Sequence, residues 1–192
     1  MEHDEKAHWD ARYREKPGSW TEPDEFLTQA YAEFLEASSP GLALDLAGGA
    51  GRNALFLLRR GWRVKLLDIS AVGLQLAREK AEAEGLSANL TTEHVDLNAI
   101  LDLGSGEYDL VIVFNFLRRE LFPALAAALK PGGLLVYKTY TTARRDFGNG
   151  PSDRRYLLEP NELREAFSSL NILHYREIIP GKSNAGLVAR KP

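Results

Sequence analysis

Leu42-Ala43-Leu44-Asp45-Leu46-Ala47-Gly48-Gly49-Ala50-Gly51-Arg52-Asn53 is the stretch that decides the fold. A short apolar run carries an acid, Asp45, near its end. A cluster of small residues follows, and then Ala54-Leu55-Phe56-Leu57-Leu58 takes up a helical habit. Strand, tight turn and helix start is the reading. Glycines at such a turn admit positive φ and let a ligand approach the main chain. The helix start aims unpaired N–H groups at the same place.

Downstream, strands and helices alternate. A helix from Arg52 to Arg60 is closed by Gly61. Trp62 to Leu67 reads as a second strand ending in Asp68. Ser70 caps a helix that runs to about Glu84 and is closed by Gly85. Leu90 to His94 is a weaker third strand ending near Asp96, and Tyr108 to Phe114 a fourth. The leucines at 117, 121, 125 and 129 predict a core-facing helix from Phe116 to Leu129. Pro131-Gly132-Gly133 reads as a turn, and Leu134 to Tyr140 as a fifth strand. Nearly unbroken apolar strands between helices imply a parallel sheet covered on both faces.

Upstream, Ala7 to Lys16 predicts a short helix with Trp9 and Tyr13 on one face. Pro17-Gly18 breaks it, Trp20 follows in a loop, and a second helix spans Asp24 to Ala37. Its apolar stripe is Phe26, Leu27, Ala30, Tyr31, Phe34 and Leu35. At the other end, Thr141 to Leu158 is irregular and carries Arg144, Arg145, Arg154 and Arg155. Glu159 to Phe167 reads as a helix. Leu170 to Ile179 and Leu187 to Arg190 read as strands joined by Pro180-Gly181-Lys182-Ser183-Asn184, hence antiparallel. The 192 residues are read as one domain, with residues 1–41 a helical cap and 42–192 the α/β core.

Composition narrows the function. The net charge of −3 argues against a large polyanionic partner. With no cysteine there is no disulfide framework, thiolate nucleophile or cysteine zinc site. His3, His8 and His174 show no metal-ligand spacing, so no metal is expected. No secretory signal opens the chain and no apolar run reaches membrane-spanning length, which points to a cytoplasmic protein without a membrane partner.

Gly49-x-Gly51-x-x-Ala54 matches the fingerprint of dinucleotide sites, with Asp68 near the distance of a ribose-binding acid. Asp45 departs from that pattern, because a dinucleotide fold keeps an apolar residue inside the strand end. Asp45, Asp68 and Asp96 all fall at the C-terminal edge of the predicted sheet, where ligands bind. Each of the first two has a plainer alternative as a helix cap.

The set D-L-A-G-G-A-G-R-N, L-L-D-I-S, V-D-L, Y-D-L-V-I-V-F-N and L-K-P-G-G-L-L-V, from Ala43 to Tyr137, resembles the class I S-adenosylmethionine-dependent methyltransferases. The N-terminal W-D-A-R-Y-R resembles the small-molecule branch that includes tellurite-resistance and thiopurine methyltransferases. The resemblance implies a Rossmann-like three-layer sandwich around a mostly parallel seven-stranded sheet, order 3-2-1-4-5-7-6, with an antiparallel C-terminal hairpin. It implies S-adenosyl-L-methionine as cofactor and S-adenosyl-L-homocysteine as product. Gly49 and Gly51, with Ala47 and Gly48, would meet the amino-acid part of the cofactor, with Asp45 ordering the turn. Asp68 would accept the ribose hydroxyls and Ile69 pack on the adenine. Asp96 would take the adenine amino group with Leu97 beside it, and Asn115 would stand near the sulfonium. Tyr13 and Trp20 would close over the cofactor. Ala47 replaces the first glycine of the family, which requires an allowed φ and leaves less room.

No general base is evident. Asn115 and Tyr140 are the catalytic candidates. Arg118, Tyr140 and Arg155 are the candidates for binding a small-molecule methyl acceptor, with Arg119 beside them. Phe114-Asn115-Phe116-Leu117 is not the Asn-Pro-Pro-aromatic pattern of relatives that methylate planar amino groups. The alternatives are an RNA or protein methyltransferase, whose basic rim the arginine pairs would form, an NAD(P)-dependent oxidoreductase, and a non-catalytic nucleoside-cofactor-binding module.

Overall fold

The computed structural model describes residues 5–19, 21–99, 102–143, 151, 153–179 and 182–192. Trp20, His3, Arg144, Arg145, Pro180 and Gly181 lie outside the described residues. The chain forms two compact units, residues 1–100 and 101–192.

The first unit holds α1 (Glu5–Glu15), α2 (Glu25–Phe34), β1 (Leu42–Leu46), α3 (Arg52–Leu58), β2 (Arg63–Asp68), α4 (Ala71–Ala83) and β3 (Leu90–His94). β1 runs parallel to β2, from Leu42 opposite Arg63 to Leu46 opposite Leu67. β2 runs parallel to β3, ending with Asp68 opposite His94. The register therefore brings the ends of all three strands to one edge. β1 is buried on both faces from Ala43 onward, as its nearly continuous apolar run requires. Leu44, Leu46, Leu57, Leu58, Leu66, Leu74 and Trp62 form the fully buried centre of the unit. The Trp62 indole N–H donates to the Tyr31 hydroxyl at 3.3 Å, which satisfies its one polar atom.

The second unit holds β4 (Tyr108–Phe114), α5 (Phe122–Ala128), β5 (Leu129–Tyr140), α6 (Glu162–Ala166), β6 (Asn171–Ile179) and β7 (Lys182–Arg190). β4 and β5 are parallel. β7 is antiparallel to both β5 and β6. Phe122, Tyr137 and Phe167 form its aromatic centre, with ring centroids 5.2 to 6.0 Å apart. Across the sheet the strand order is β3-β2-β1-β4-β5-β7-β6, the order that the family resemblance implies.

Several boundaries differ from the sequence reading. The helix expected over Phe116–Leu129 is confined to Phe122–Ala128 after a 3-10 turn at Arg119–Leu121. Pro123 sits in its first turn, where the missing N–H costs nothing. The expected turn Pro131-Gly132-Gly133 lies inside β5 instead. Gly132 N–H donates to Lys191 and Gly133 accepts from it, both at 2.9 Å, so the C-terminal tail extends the ladder there. β7 begins at Lys182, five residues before the expected Leu187, and pairs Asn184 with Tyr140. Lys182, Ser183 and Asn184, read as part of the connecting loop, are thus strand. α2 stops at Phe34 rather than Ala37, and α6 begins at Glu162 rather than Glu159.

Candidate functional site

The glycine turn that follows β1 is built on left-handed backbone: Ala47, Gly49 and Gly51 have φ of 56°, 55° and 75°. The requirement at Ala47 is met in the left-handed region, where a Cβ costs about 1–2 kcal/mol. At Gly49 the need is double, because a Cβ would also overlap the Tyr13 hydroxyl. Gly48 packs on Asp45, whose carboxyl carbon lies 2.6 Å from where a Cβ would stand.

From Gly48 to Gly51 each N–H has a definite partner. Gly48 donates to Leu67 O at 3.3 Å and Gly51 to Gly48 O at 3.0 Å. Gly49 donates to Asp68 Oδ2 at 2.8 Å. Ala50 donates to the Tyr13 phenol oxygen.

Asp45 and Asp68 are both buried. Asp45 accepts a hydrogen bond from Ala54 N–H in the first turn of α3, which is the capping role open to it from sequence. Its Oδ2 has no partner and no solvent. Burial, reinforced by the Asp68 charge and only partly offset by Arg52, pushes its carboxyl up to about 8. Asp68 uses both oxygens, Oδ2 for Gly49 and Oδ1 for Ser70 N–H at 2.8 Å. Burial raises its pKa against those bonds and the nearby His94. A carboxylate has about four acceptor sites, so both acids keep capacity for a ligand.

The remaining first-unit candidates lie around the strand ends. Ile69 is half-buried, and its carbonyl accepts from His94 Nε2 at 2.9 Å, which fixes the end of β3. Asp96 is exposed and caps its own loop through Asn98 N–H at 2.8 Å. Leu97 is buried beside it.

Two groups at the site were not singled out from the sequence. The first is Asp10 on α1, 5% exposed, which accepts from Ser70 Oγ at 2.6 Å. Burial opposes its charge, but that hydroxyl, Val72 N–H, Lys6 and Arg14 hold its pKa below the usual carboxylate range. Only the W-D-A-R-Y-R resemblance marked its neighbourhood. The second is the start of α3. Asn53 Oδ1 accepts from Asp24 N–H at 2.9 Å, and Arg52 lies 3.4 Å from Asp24 Oδ2. No local pattern signals that tie.

The second unit holds the other candidates, each within its own surroundings. Asn115 has a φ of 57° just after β4 and donates its N–H to Lys138 O at 2.9 Å. Tyr140 is half-buried at the end of β5. Arg118 lies 3.6 Å from Glu120. Arg155 is exposed and pairs with Asp153 at 2.7 Å. Arg119 is a staple: it pairs with Glu162 and donates to the carbonyls of Arg155 and Leu157 at 3.0 and 2.9 Å.

These residues fit the zwitterionic tail of S-adenosylmethionine. A buried carboxylate oxygen without a partner calls for a cation or donor, and a turn with close backbone access suits a carboxylate. Asp45 and the turn supply the two. A dinucleotide fold keeps an apolar residue inside the strand end, and the buried Asp45 stands there instead, which disfavours the dinucleotide alternative.

Residues 43–133 match the model of a methyltransferase domain family. The chain is 31% identical over 161 residues to the probable S-adenosyl-L-methionine-dependent methyltransferase TehB of Haemophilus influenzae, covering 78% of this chain and 54% of that one. It is 29% identical over 126 residues to the tRNA 5-carboxymethoxyuridine methyltransferase of Escherichia coli, covering 63% of this chain and 46% of that one. The chain thus spans about half the length of these curated relatives. The crystal structure of Haemophilus influenzae TehB superimposes with a TM-score of 0.75 at 22% identity, over 96% of this chain and 67% of that one.

Proposed function

The chain belongs to the class I S-adenosylmethionine-dependent methyltransferases of the TehB-like type, and from that premise we propose that it methylates a small-molecule acceptor. The observation that carries the cofactor assignment is Asp45: a sealed carboxylate with one oxygen unpartnered, beside a glycine turn at a helix start. The small-molecule acceptor is supported by the net charge of −3 and by similarity to TehB over more of the chain than to the tRNA enzyme.

When bound, S-adenosylmethionine supplies a methyl group activated on a sulfonium. This chain's residues bind and orient. Asp45 and the Gly48–Gly51 backbone would hold the amino-acid end, with Ala47 shaping the turn. Asp68 would take the ribose hydroxyls, Ile69 and Leu97 would pack near the adenine, and Asp96 would accept its amino group. Asn115 is assigned to the sulfonium side, and Arg118, Tyr140 and Arg155 to the acceptor. We assign no general base, since positioning alone supplies much of the rate for a soft nucleophile. Residues 1–192 are proposed to work as one methyltransferase domain.

Calorimetric titration with S-adenosylhomocysteine tests the reading. Saturable binding is expected, weakened about tenfold or more in Asp45→Ala by loss of a charge-assisted contact. No heat at millimolar ligand overturns it. The tRNA-modifying relative favours a second reading, an RNA acceptor. A mobility shift with bulk tRNA that weakens steeply with salt supports that reading, and a flat titration removes it.

A further inference from the structure

Helix α1 covers the glycine turn without an apolar stripe. Of its eleven residues only Asp10 is buried. Its hold is polar. Asp10 Oδ1 accepts from Ser70 Oγ at 2.6 Å and from Val72 N–H at 3.3 Å, at the start of α4. Lys6 and Arg14 stand 3.7 and 3.9 Å from Oδ2. Ser70 completes the link by capping α4, accepting from Gly73 N–H at 3.0 Å. A more exposed tie joins Glu5 to Asn98 Nδ2 at 3.1 Å.

That anchor sets where Tyr13 falls, one turn further along α1. Its ring lies on Gly73, where a Cβ would stand 2.9 Å from it, and its hydroxyl lies on Gly49. Its phenol oxygen takes the Ala50 N–H. Beneath the same turn is Asp45 Oδ2, buried and unpartnered. A protein acceptor therefore occupies a donor of the turn, while a buried acceptor next to it waits for a donor.

We propose that Asp10 is a positioning residue for cofactor binding. Docked on Ser70 and Val72, it sets α1 as a releasable cover whose Tyr13 phenol holds the Ala50 N–H until the cofactor's amino-acid end takes it. The inference rests on the S-adenosylmethionine reading of the site. An element held by a few polar ties opens at low free energy, unlike one that buries an apolar stripe. Ligand exchange then waits on opening, so the strength of the Asp10 anchor governs the rates of entry and exit together.

The test pairs amide exchange of residues 5–15 with stopped-flow binding of S-adenosylhomocysteine to the full chain. Binding is followed by the fluorescence of Trp9, which stacks on Tyr13 at 6.1 Å between centroids. Asp10→Ala is expected to speed α1 exchange about tenfold, the loss of one or two hydrogen bonds. The association and dissociation rates rise together, so the affinity changes little. Asp10→Asn keeps an acceptor for Ser70 and Val72 and stays near the parent chain. Tyr13→Phe speeds association while α1 exchange holds. An association rate that is unchanged or slower in Asp10→Ala overturns the inference, as does α1 exchange insensitive to it. If the parent chain binds no S-adenosylhomocysteine, the cofactor reading falls and the cover loses its ligand. Binding with an unaltered association rate in Asp10→Ala removes the cover alone.

Discussion

α1 and α2 lie side by side in sequence and are built on opposite principles. α2 buries Phe26, Leu27, Ala30 and Tyr31, and Tyr31 meets Phe56 edge-on at 5.4 Å. Its N-cap, Asp24, accepts from Phe26 N–H at 3.0 Å. α1 buries only Asp10. The hydrophobic effect holds α2 without direction, at about 25 cal/mol per Å² of buried apolar area. Two hydrogen bonds, from Ser70 and Val72 to Asp10, hold α1 in one orientation, each worth about 1 kcal/mol net. The difference separates a helix that belongs to the core from one that is placed over the glycine turn.

The contrast breaks most visibly at Leu27, which is fully buried. Leu27→Ala should lower the unfolding free energy by about 2–5 kcal/mol, measured by denaturant titration. A loss below about 1 kcal/mol would place α2 with α1 as a dispensable cover.

The polar ground under α1 gives the second effect. The Asp45 carboxyl is pushed from 3.8 up to about 8, so between those values the folded chain holds a proton that the unfolded chain has lost. That contribution is complete below the unfolded pKa and disappears as pH rises through the folded one. Stability of the ligand-free chain should therefore fall from pH 5 to pH 8, with Asp45 contributing at most about 1.4 kcal/mol per pH unit. Asp45→Asn should flatten the difference curve. An identical slope in both proteins would show that Asp45 ionises freely in the fold.

The turn itself supplies a smaller effect. Ala47 sits at a φ of 56°. Ala47→Gly should stabilise by about 1 kcal/mol as the Cβ strain is relieved, read as a rise in the unfolding midpoint. A loss of stability would mean that the methyl group packs better than the backbone is strained.

The smallest effect sharpens the comparison. Asp10→Ala should change global stability by no more than about 1 kcal/mol while it frees α1. A loss as large as that of Leu27→Ala would mean that α1 is part of the core after all.

The strands were legible in the sequence where one face pattern governs them. β1 and β4 run over the residues that their apolar runs mark, and β3 over the stretch read as a weaker strand. β5 and β7 were misjudged where a distant partner decides the outcome. Gly132 and Gly133 read locally as a turn, yet Lys191 pairs with them. The leucine series overstated the helix after β4, because four-residue spacing also fits a 3-10 turn, a short helix and the first residue of a strand. Leu121, Leu125 and Leu129 are buried in three such settings. Arg119 reads as one of a basic pair but serves as a staple, since its partners Glu162 and Leu157 are dozens of residues away.

By itself the sequence determined the glycine turn, the acids at the strand ends and the order of the alternating elements. Those follow from backbone freedom and apolar periodicity, which are local. Only the tertiary structure decided that Asp45 is sealed with an oxygen unpartnered, that Asp68 spends its oxygens on Gly49 and Ser70, and that Asp10 docks α1 by reaching Ser70. Burial and the pairing of side chains sixty residues apart depend on how helices pack over a sheet, and no spacing along the chain encodes that.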